Sequence, residues 1–116
     1  MSVVREETVA EANSHLGDYL VVDVREEAEL SGPLGCIAQA VHHPLGTLPG
    51  ALATLPRDRR MLLVCRSGRR SHDACEMLSA EGFEDVTNLA GGMIAWNDAG
   101  LPVASAPPDM PDGDEG

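Results

Sequence analysis

A cysteine followed by a short, arginine-rich turn is the part of this sequence best suited to chemistry. The segment Cys65-Arg66-Ser67-Gly68-Arg69-Arg70 comes directly after the apolar run 61–64. Backbone N–H groups of such a turn can point at the cysteine sulfur, and a helix that begins there adds the positive end of its dipole. These effects and the nearby arginines favour the thiolate over the thiol. Cys65 is therefore a candidate nucleophile.

A second polar segment, Asp23-Val24-Arg25, ends another apolar run that begins at Tyr19. In parallel α/β sheets, ligands bind outside the carboxyl ends of the strands. Because both segments follow apparent buried strands, we expect Asp23 and Arg25 to face the same site as Cys65.

The elements that must position these residues alternate between strands and helices. The patterns predict strands at 19–24, 40–42, 61–64 and 86–89, and helices at 5–15, 26–30, 45–55, 71–81 and 93–97. The two main strand runs are continuously apolar, which is typical of strands covered on both faces. The alternation predicts an α/β layer fold with a mainly parallel sheet.

Composition limits the function classes. A chain of 116 residues fits one domain, and 8 basic against 19 acidic residues give a net charge of −11. This charge disfavours binding to nucleic acid or to an anionic membrane. Six of the eight arginines fall within residues 57–70 of a chain without lysine, which favours a small-anion site. The sequence has no run long enough to span a bilayer and no secretory pattern, so we expect a cytoplasmic protein.

The cysteines and histidines do not form a recognisable ligand set. Three cysteines without a Cys-x-x-Cys spacing argue against a disulfide framework and a zinc ribbon. The four histidines have no ligand spacing with one another or with cysteine. We therefore expect neither a metal nor another cofactor.

Four segments in order resemble the single-domain rhodaneses, a family of sulfurtransferases. They are Val21 to Glu26, Cys65 to Ser71, Gly82 to Leu89, and Gly91 to Trp96 followed by Ala99 to Val103. The resemblance implies a three-layer α/β fold, with a mostly parallel five-stranded sheet and helices on both faces. It also implies a rhodanese-like domain over residues 1–103, and we interpret the acidic, proline-rich residues 104–116 as a disordered tail.

The resemblance implies roles for individual residues. Cys65 would take a sulfane sulfur from a small anionic donor such as thiosulfate, hold it as a persulfide, and pass it to cyanide or a thiol, including a protein thiol. The backbone amides of Arg66, Ser67, Gly68, Arg69 and Arg70 would bind that sulfur, with the Arg66 and Arg69 side chains attracting the donor. We assign Arg70 and Arg25 to holding the loop against Asp23 and Glu29.

One segment departs from the family pattern. Where rhodaneses usually have Gly-His-Ile-Pro-Gly-Ala, this chain has Gly35-Cys36-Ile37-Ala38-Gln39-Ala40, and Gly32-Pro33-Leu34 lengthens the preceding loop by about two residues. The departure affects one wall of the pocket and the choice of donor. Cys36 is either a second redox thiol or a packed loop residue, the second being favoured, and Cys75 fits a buried helix position.

Two other functions remain open. One is a rhodanese-like binding or regulatory module without turnover. The other is a cysteine-dependent phosphatase or arsenate reductase. Cysteine phosphatases place five residues between the cysteine and the arginine that binds phosphate, whereas four separate Cys65 from Arg70. The shorter loop favours a persulfide over a phosphoryl group.

Overall fold

Five parallel strands form the central sheet of the computed structural model, which describes residues 4–104. The strands are β1 (Arg5–Glu7), β2 (Leu20–Asp23), β3 (Val41–His42), β4 (Met61–Val64) and β5 (Val86–Leu89). Their order across the sheet is β1-β5-β4-β2-β3, and every neighbouring pair runs parallel. Because β4 is the central strand, its carboxyl end, and therefore Cys65, lies at the middle of one edge of the sheet.

Helices cover both faces of this sheet. They are α1 (Val9–Ser14), α2 (Glu27–Leu30), α3 (Leu48–Ala51), α4 (Arg69–Ala80) and α5 (Gly92–Asp98). Met61 and Leu63 of β4 pack in the core that contains α3 and α4, whereas Leu62 and Val64 pack in the core that contains α1 and α5. All four β4 residues are buried, which explains their unbroken apolar pattern. The predicted three-layer α/β fold with a five-stranded sheet is confirmed.

The amino-terminal helix predicted for residues 5–15 is wrong in its first part. Residues 5–7 form the edge strand β1, which pairs with β5 through Arg5 and Thr87. The helix begins after Thr8, whose side chain accepts from Glu11 N–H while the Glu11 carboxylate accepts from Thr8 N–H. This capping box fixes the helix start, and strand pairing orders the charged segment before it.

The helix predicted for residues 45–55 is also broken in the structure. A 3-10 turn at Leu45–Thr47 precedes α3, and a second at Leu52–Thr54 follows it. Pro49 lacks an N–H, and Gly46 and Gly50 weaken helix formation. Leu48 nevertheless reaches the core and is fully buried.

The chain continues in an ordered form to the last described residue. Ala104 exchanges two backbone hydrogen bonds with Cys36, at 2.7 and 2.8 Å, and Trp96 Nε1 donates to the Pro102 carbonyl at 2.9 Å. Of the tail predicted at 104–116, only Ala104 is described, and the rest lies outside the described residues. Within residues 4–104, no helix has the length and apolar character needed to cross a membrane.

Candidate active site

Cys65 lies directly after β4, where the chain turns into α4. Its side chain is buried, and its Sγ accepts a hydrogen bond from the Gly68 backbone N–H at 3.1 Å. Gly68 precedes the first residue of α4 and has a φ of +96°, a conformation that glycine adopts without strain. The turn therefore directs a backbone donor and the amino end of a 12-residue helix at the sulfur.

A second hydrogen-bond donor to the sulfur comes from the first turn of α4. Ser71 Oγ lies 3.3 Å from Cys65 Sγ and also within hydrogen-bond distance of Asn88 Oδ1. Asn88 Nδ2 donates to the Gly68 carbonyl at 3.0 Å and to the Glu6 carboxylate at 3.2 Å, so its amide oxygen faces Ser71. Because Ser71 has one hydroxyl proton, the sulfur and Asn88 Oδ1 compete for it.

The amino end of α5 supports the loop from the other side. Met93 N–H donates to the Cys65 carbonyl at 2.9 Å, and Ile94 N–H donates to the Arg66 carbonyl at 3.0 Å. A Cβ on Gly92 would lie 2.6 Å from the Arg66 carbonyl oxygen and closer still to that of Cys65. Only glycine allows this approach, so the Gly91-Gly92 pair is part of the support for the loop.

An ion pair closes the end of the loop. Arg70 Nη1 and Nη2 donate to the two carboxylate oxygens of Glu29 at 2.7 and 2.8 Å. These hydrogen bonds lower the pKa of Glu29 to about 2 and raise the pKa of Arg70. The ionised Glu29 carboxylate thus holds the end of the loop through Arg70.

Asp23 and Arg25 form a buried ion pair beside this contact. Arg25 Nε and Nη2 donate to the Asp23 carboxylate at 2.8 to 3.1 Å. The remaining Arg25 donors reach the carbonyls of Gly35, at 2.8 Å, and Glu29, at 3.4 Å. Arg25 therefore binds the segment 29–35, and its link to the Cys65 loop is indirect, through Glu29 and Arg70.

Arg66 and Arg69 lie on opposite sides of the loop, and both side chains are exposed. Arg66 borders a cavity against α2 and the loop that follows it. Arg69 borders a second depression that includes Glu6, His72 and Asn88. The two exposed cations thus border different depressions on either side of the Cys65 loop.

A comparison with protein-family models matches residues 8–99 to the rhodanese-like domain. The chain belongs to the rhodanese-like domain family. A protein named sulfurtransferase from Allochromatium vinosum is 37% identical over 99 residues, which cover 85% of this chain and 91% of that protein. This relationship supports a sulfurtransferase or sulfur-carrier role.

Solved structures of rhodanese-like proteins resemble the chain closely. A rhodanese-related protein from Thermoplasma volcanium has a TM-score of 0.81 and 33% identity, covering 87% of this chain and 98% of that chain. A rhodanese-like domain protein from Staphylococcus aureus has a TM-score of 0.75 and 33% identity, covering 86% and 98% of the two chains. The fold that presents the loop is therefore shared with known members of the family.

The other two cysteines of this rhodanese-like domain are buried. Cys36 is tied to Ala104 through the backbone, and burial together with Asp23 raises the pKa of its thiol. Cys75 has no exposed surface, and burial raises the pKa of its thiol to about 12. Both environments favour the unreactive thiol form, which agrees with a packing role.

One group of side chains in the described part could hold a metal ion. His72, Asp73 and Glu76 on α4 bring ligand atoms within 4.8 Å of one another. Asp73 and Glu76 are exposed, and exposed carboxylates often lie together without a metal. That the protein functions without a bound metal stays a prediction.

The roles of Ser71, Asn88 and Gly92 were not predicted from the sequence. Thr87 and Asn88 are polar residues inside a fully buried strand, and that pattern is the signal that could have found Asn88. A buried amide needs partners, and those of Asn88 are Gly68 and Ser71, beside Cys65, together with Glu6. Ser71 and Gly92 lay within the motifs but gave no separate signal.

Proposed function

We propose that this protein transfers sulfane sulfur from thiosulfate or a similar anion to a small thiol, a protein thiol or cyanide, with Cys65 as the carrier. The observation that carries the proposal is the hydrogen-bond geometry around Cys65 Sγ, which has the Gly68 N–H at 3.1 Å and the Ser71 hydroxyl at 3.3 Å. Both donors stabilise negative charge on sulfur.

In the first half-reaction, the Cys65 thiolate attacks the outer sulfur of thiosulfate. A new S–S bond forms at Cys65, the S–S bond of thiosulfate breaks, and sulfite leaves with the bonding electron pair. The persulfide that remains is an anion at neutral pH, and the free amides of the turn are the donors we expect for its outer sulfur. An acceptor thiolate or cyanide then attacks that outer sulfur and restores the Cys65 thiolate.

The arrangement of Arg70 argues against phosphoryl transfer. Both terminal nitrogens of its guanidinium bind Glu29, whereas a phosphatase needs the corresponding arginine for the phosphate oxygens. The shorter loop points the same way. We expect negligible hydrolysis of aryl phosphates.

Mass spectrometry after thiosulfate treatment tests the proposal. The peptide containing Cys65 should gain one sulfur atom, and the sulfur should be lost on addition of cyanide with formation of thiocyanate. A Cys65→Ser variant should fold and gain nothing, while Cys75→Ser serves as a matched control that should still load sulfur.

The result also separates the enzyme from a binding module. A folded protein that binds thiosulfate but never forms the Cys65 persulfide would contradict the proposal and favour the non-catalytic alternative.

The cytoplasmic location expected from the sequence stays a prediction.

A further inference from the structure

The Ser71 hydroxyl lies between two acceptors in the interior of the protein. Its oxygen is 3.3 Å from Cys65 Sγ and within hydrogen-bond distance of Asn88 Oδ1, and all three residues are buried. Within residues 4–104 the hydroxyl has no other hydrogen-bond partner. A buried donor without an acceptor costs free energy, so the single proton of this hydroxyl must go to one of these two atoms.

The orientation of the Asn88 amide follows from its other contacts. Asn88 Nδ2 donates to the Gly68 carbonyl at 3.0 Å and to the Glu6 carboxylate at 3.2 Å. A reversed amide would place Oδ1 against both of these acceptors, where it could form no hydrogen bond. Oδ1 is therefore held facing Ser71 as a fixed acceptor for its hydroxyl.

The sulfur of Cys65 changes as an acceptor during the proposed reaction. In the thiolate, Sγ carries the negative charge, and a charged acceptor makes the stronger hydrogen bond. In the persulfide, Sγ is bonded to carbon and to the outer sulfur, and the charge lies on the outer sulfur. An uncharged divalent sulfur is a weak acceptor, whereas an amide oxygen has two lone pairs available. The preferred partner of the Ser71 hydroxyl therefore differs between the two states.

We propose that Asn88 is a positioning residue, which takes the Ser71 hydrogen bond when Cys65 carries sulfur and thereby stabilises the persulfide. The inference rests on the proposed sulfur transfer and adds a residue to it. The hydroxyl donates to Sγ in the thiolate and turns to Asn88 Oδ1 in the persulfide. In each state the buried hydroxyl has an acceptor, so neither state carries the cost of an unpaired donor.

The loading equilibrium with thiosulfate measures this contribution. The Cys65 thiolate and thiosulfate form the persulfide and sulfite, so atoms and charge balance without another reactant. The loading ratio is the amount of persulfide divided by the amount of free Cys65 at fixed thiosulfate and sulfite concentrations, and mass spectrometry of the full chain measures it. A pH of about 9 keeps an ordinary thiol, with a pKa of about 8.5, largely ionised.

Two substitutions of Asn88 should have different effects on the loading ratio. Asn88→Ala removes the acceptor and should lower the ratio about fivefold, since a neutral hydrogen bond of about 1 kcal/mol is lost in the persulfide only. Asn88→Asp also disturbs the hydrogen bonds that Nδ2 donates, but it offers Ser71 an oxygen whether or not it is ionised. Its loading ratio should equal or exceed that of wild type. The comparison separates the acceptor from the support that Asn88 gives to Gly68.

A double-mutant cycle tests whether Asn88 acts through Ser71. In a Ser71→Ala background there is no hydroxyl to redirect, so Asn88→Ala should change the loading ratio by less than about twofold. Thr87→Val is the matched control, at the neighbouring buried position of β5 whose side chain points to the opposite face of the sheet. Its loading ratio should stay within about twofold of wild type. Chemical denaturation of each variant ensures that only folded proteins are compared.

The outcomes separate this inference from the proposed function. If wild type never loads sulfur onto Cys65, the proposed function fails and the role of Asn88 fails with it. If wild type and Asn88→Ala load sulfur to the same extent, the proposed function stands and the role of Asn88 is wrong. An equal fall in the Ser71→Ala background would also overturn the inference, because Asn88 would then act without the hydroxyl. Should Asn88→Ala not fold, a loading ratio of Asn88→Asp below that of wild type would contradict the inference.

Discussion

At the scale of single residues, Ser71 is the side chain whose contribution to sulfur chemistry is easiest to isolate. Its hydroxyl oxygen lies 3.3 Å from Cys65 Sγ and is also within hydrogen-bond distance of Asn88 Oδ1. When the sulfur is anionic, a hydrogen bond to it is stronger than one to a neutral amide oxygen. We therefore expect the Ser71 hydroxyl to donate its hydrogen bond to the sulfur, and not to Asn88, whenever the sulfur is anionic during turnover.

Replacement of Ser71 by alanine should slow sulfur transfer by about 10- to 150-fold, because a hydrogen bond to a charged group contributes about 1.5–3 kcal/mol. The rate of Cys65 alkylation by iodoacetamide at a fixed neutral pH should fall in parallel. Ser79→Ala, on the same helix and away from the loop, is the control and should leave both rates unchanged. Unchanged rates in Ser71→Ala would show that the hydroxyl only packs against the sulfur.

At the scale of the elements, the Cys65 loop depends on the contact between α5 and the carbonyls that follow β4. Gly92 has a φ of +57°, and an added Cβ would collide with the Cys65 and Arg66 carbonyl oxygens. We expect Gly92→Ala to lower the free energy of unfolding by about 2–3 kcal/mol and to reduce sulfur transfer in the protein that remains folded.

Thermal and chemical denaturation measure this effect. Gly17→Ala is a suitable control, since an added Cβ there meets no atom within 4 Å. The control should stay within about 1 kcal/mol of wild type. A Gly92→Ala variant with wild-type stability and activity would mean that α5 can move away from the loop without consequence.

The contact between α2 and the start of α4 should respond to pH. Because Arg70 lowers the pKa of Glu29 from 4.5 to about 2, the folded state binds this proton less readily than the unfolded state. The stabilisation is fully present above about pH 4.5 and is lost as the pH falls toward 2. Melting temperatures of wild type should therefore drop more steeply over this interval than those of Glu29→Gln. Parallel profiles for the two proteins would contradict the role assigned to the ion pair.

At the scale of the whole molecule, the carboxyl-terminal segment 101–104 closes the fold against the divergent loop. Its hydrogen bonds are the two between the backbones of Ala104 and Cys36, one from Trp96 Nε1 to the Pro102 carbonyl, and one from the Leu101 N–H to the Trp96 carbonyl. They anchor the loop that contains Cys36, which follows the cavity beside Arg66.

Truncation tests where the domain ends. A chain that stops after Gly100 should lose about 4 kcal/mol of stability, since four hydrogen bonds of about 1 kcal/mol each are removed. A chain that stops after Ala104 should have a free energy of unfolding within about 0.5 kcal/mol of that of the full chain, as expected if residues 105–116 are a tail. Equal losses in the two truncated chains would place the domain boundary beyond Ala104.

The sequence by itself determined the sheet core and the position of the candidate nucleophile. The strands at 61–64 and 86–89 were predicted with the bounds that the structure has. For β4 the reason is that a parallel strand buried on both faces has an unbroken apolar run. The placement of Cys65 after such a strand, ahead of a glycine-containing turn, follows from the same local pattern. Charge clustering likewise predicts a small-anion site without any tertiary information, and that site stays a prediction.

Tertiary structure decided the features that depend on partners distant in sequence. The edge strand β1 carries charged residues with no strand-like pattern of its own, and it forms because β5 offers hydrogen-bond partners more than 80 residues away. Asn88 reaches Gly68 and Ser71 only when β5 lies beside β4, and Glu29 reaches Arg70 across 41 residues. Local propensity contains no information on these pairings. They arise because burial leaves polar groups that must find donors or acceptors wherever the fold places them.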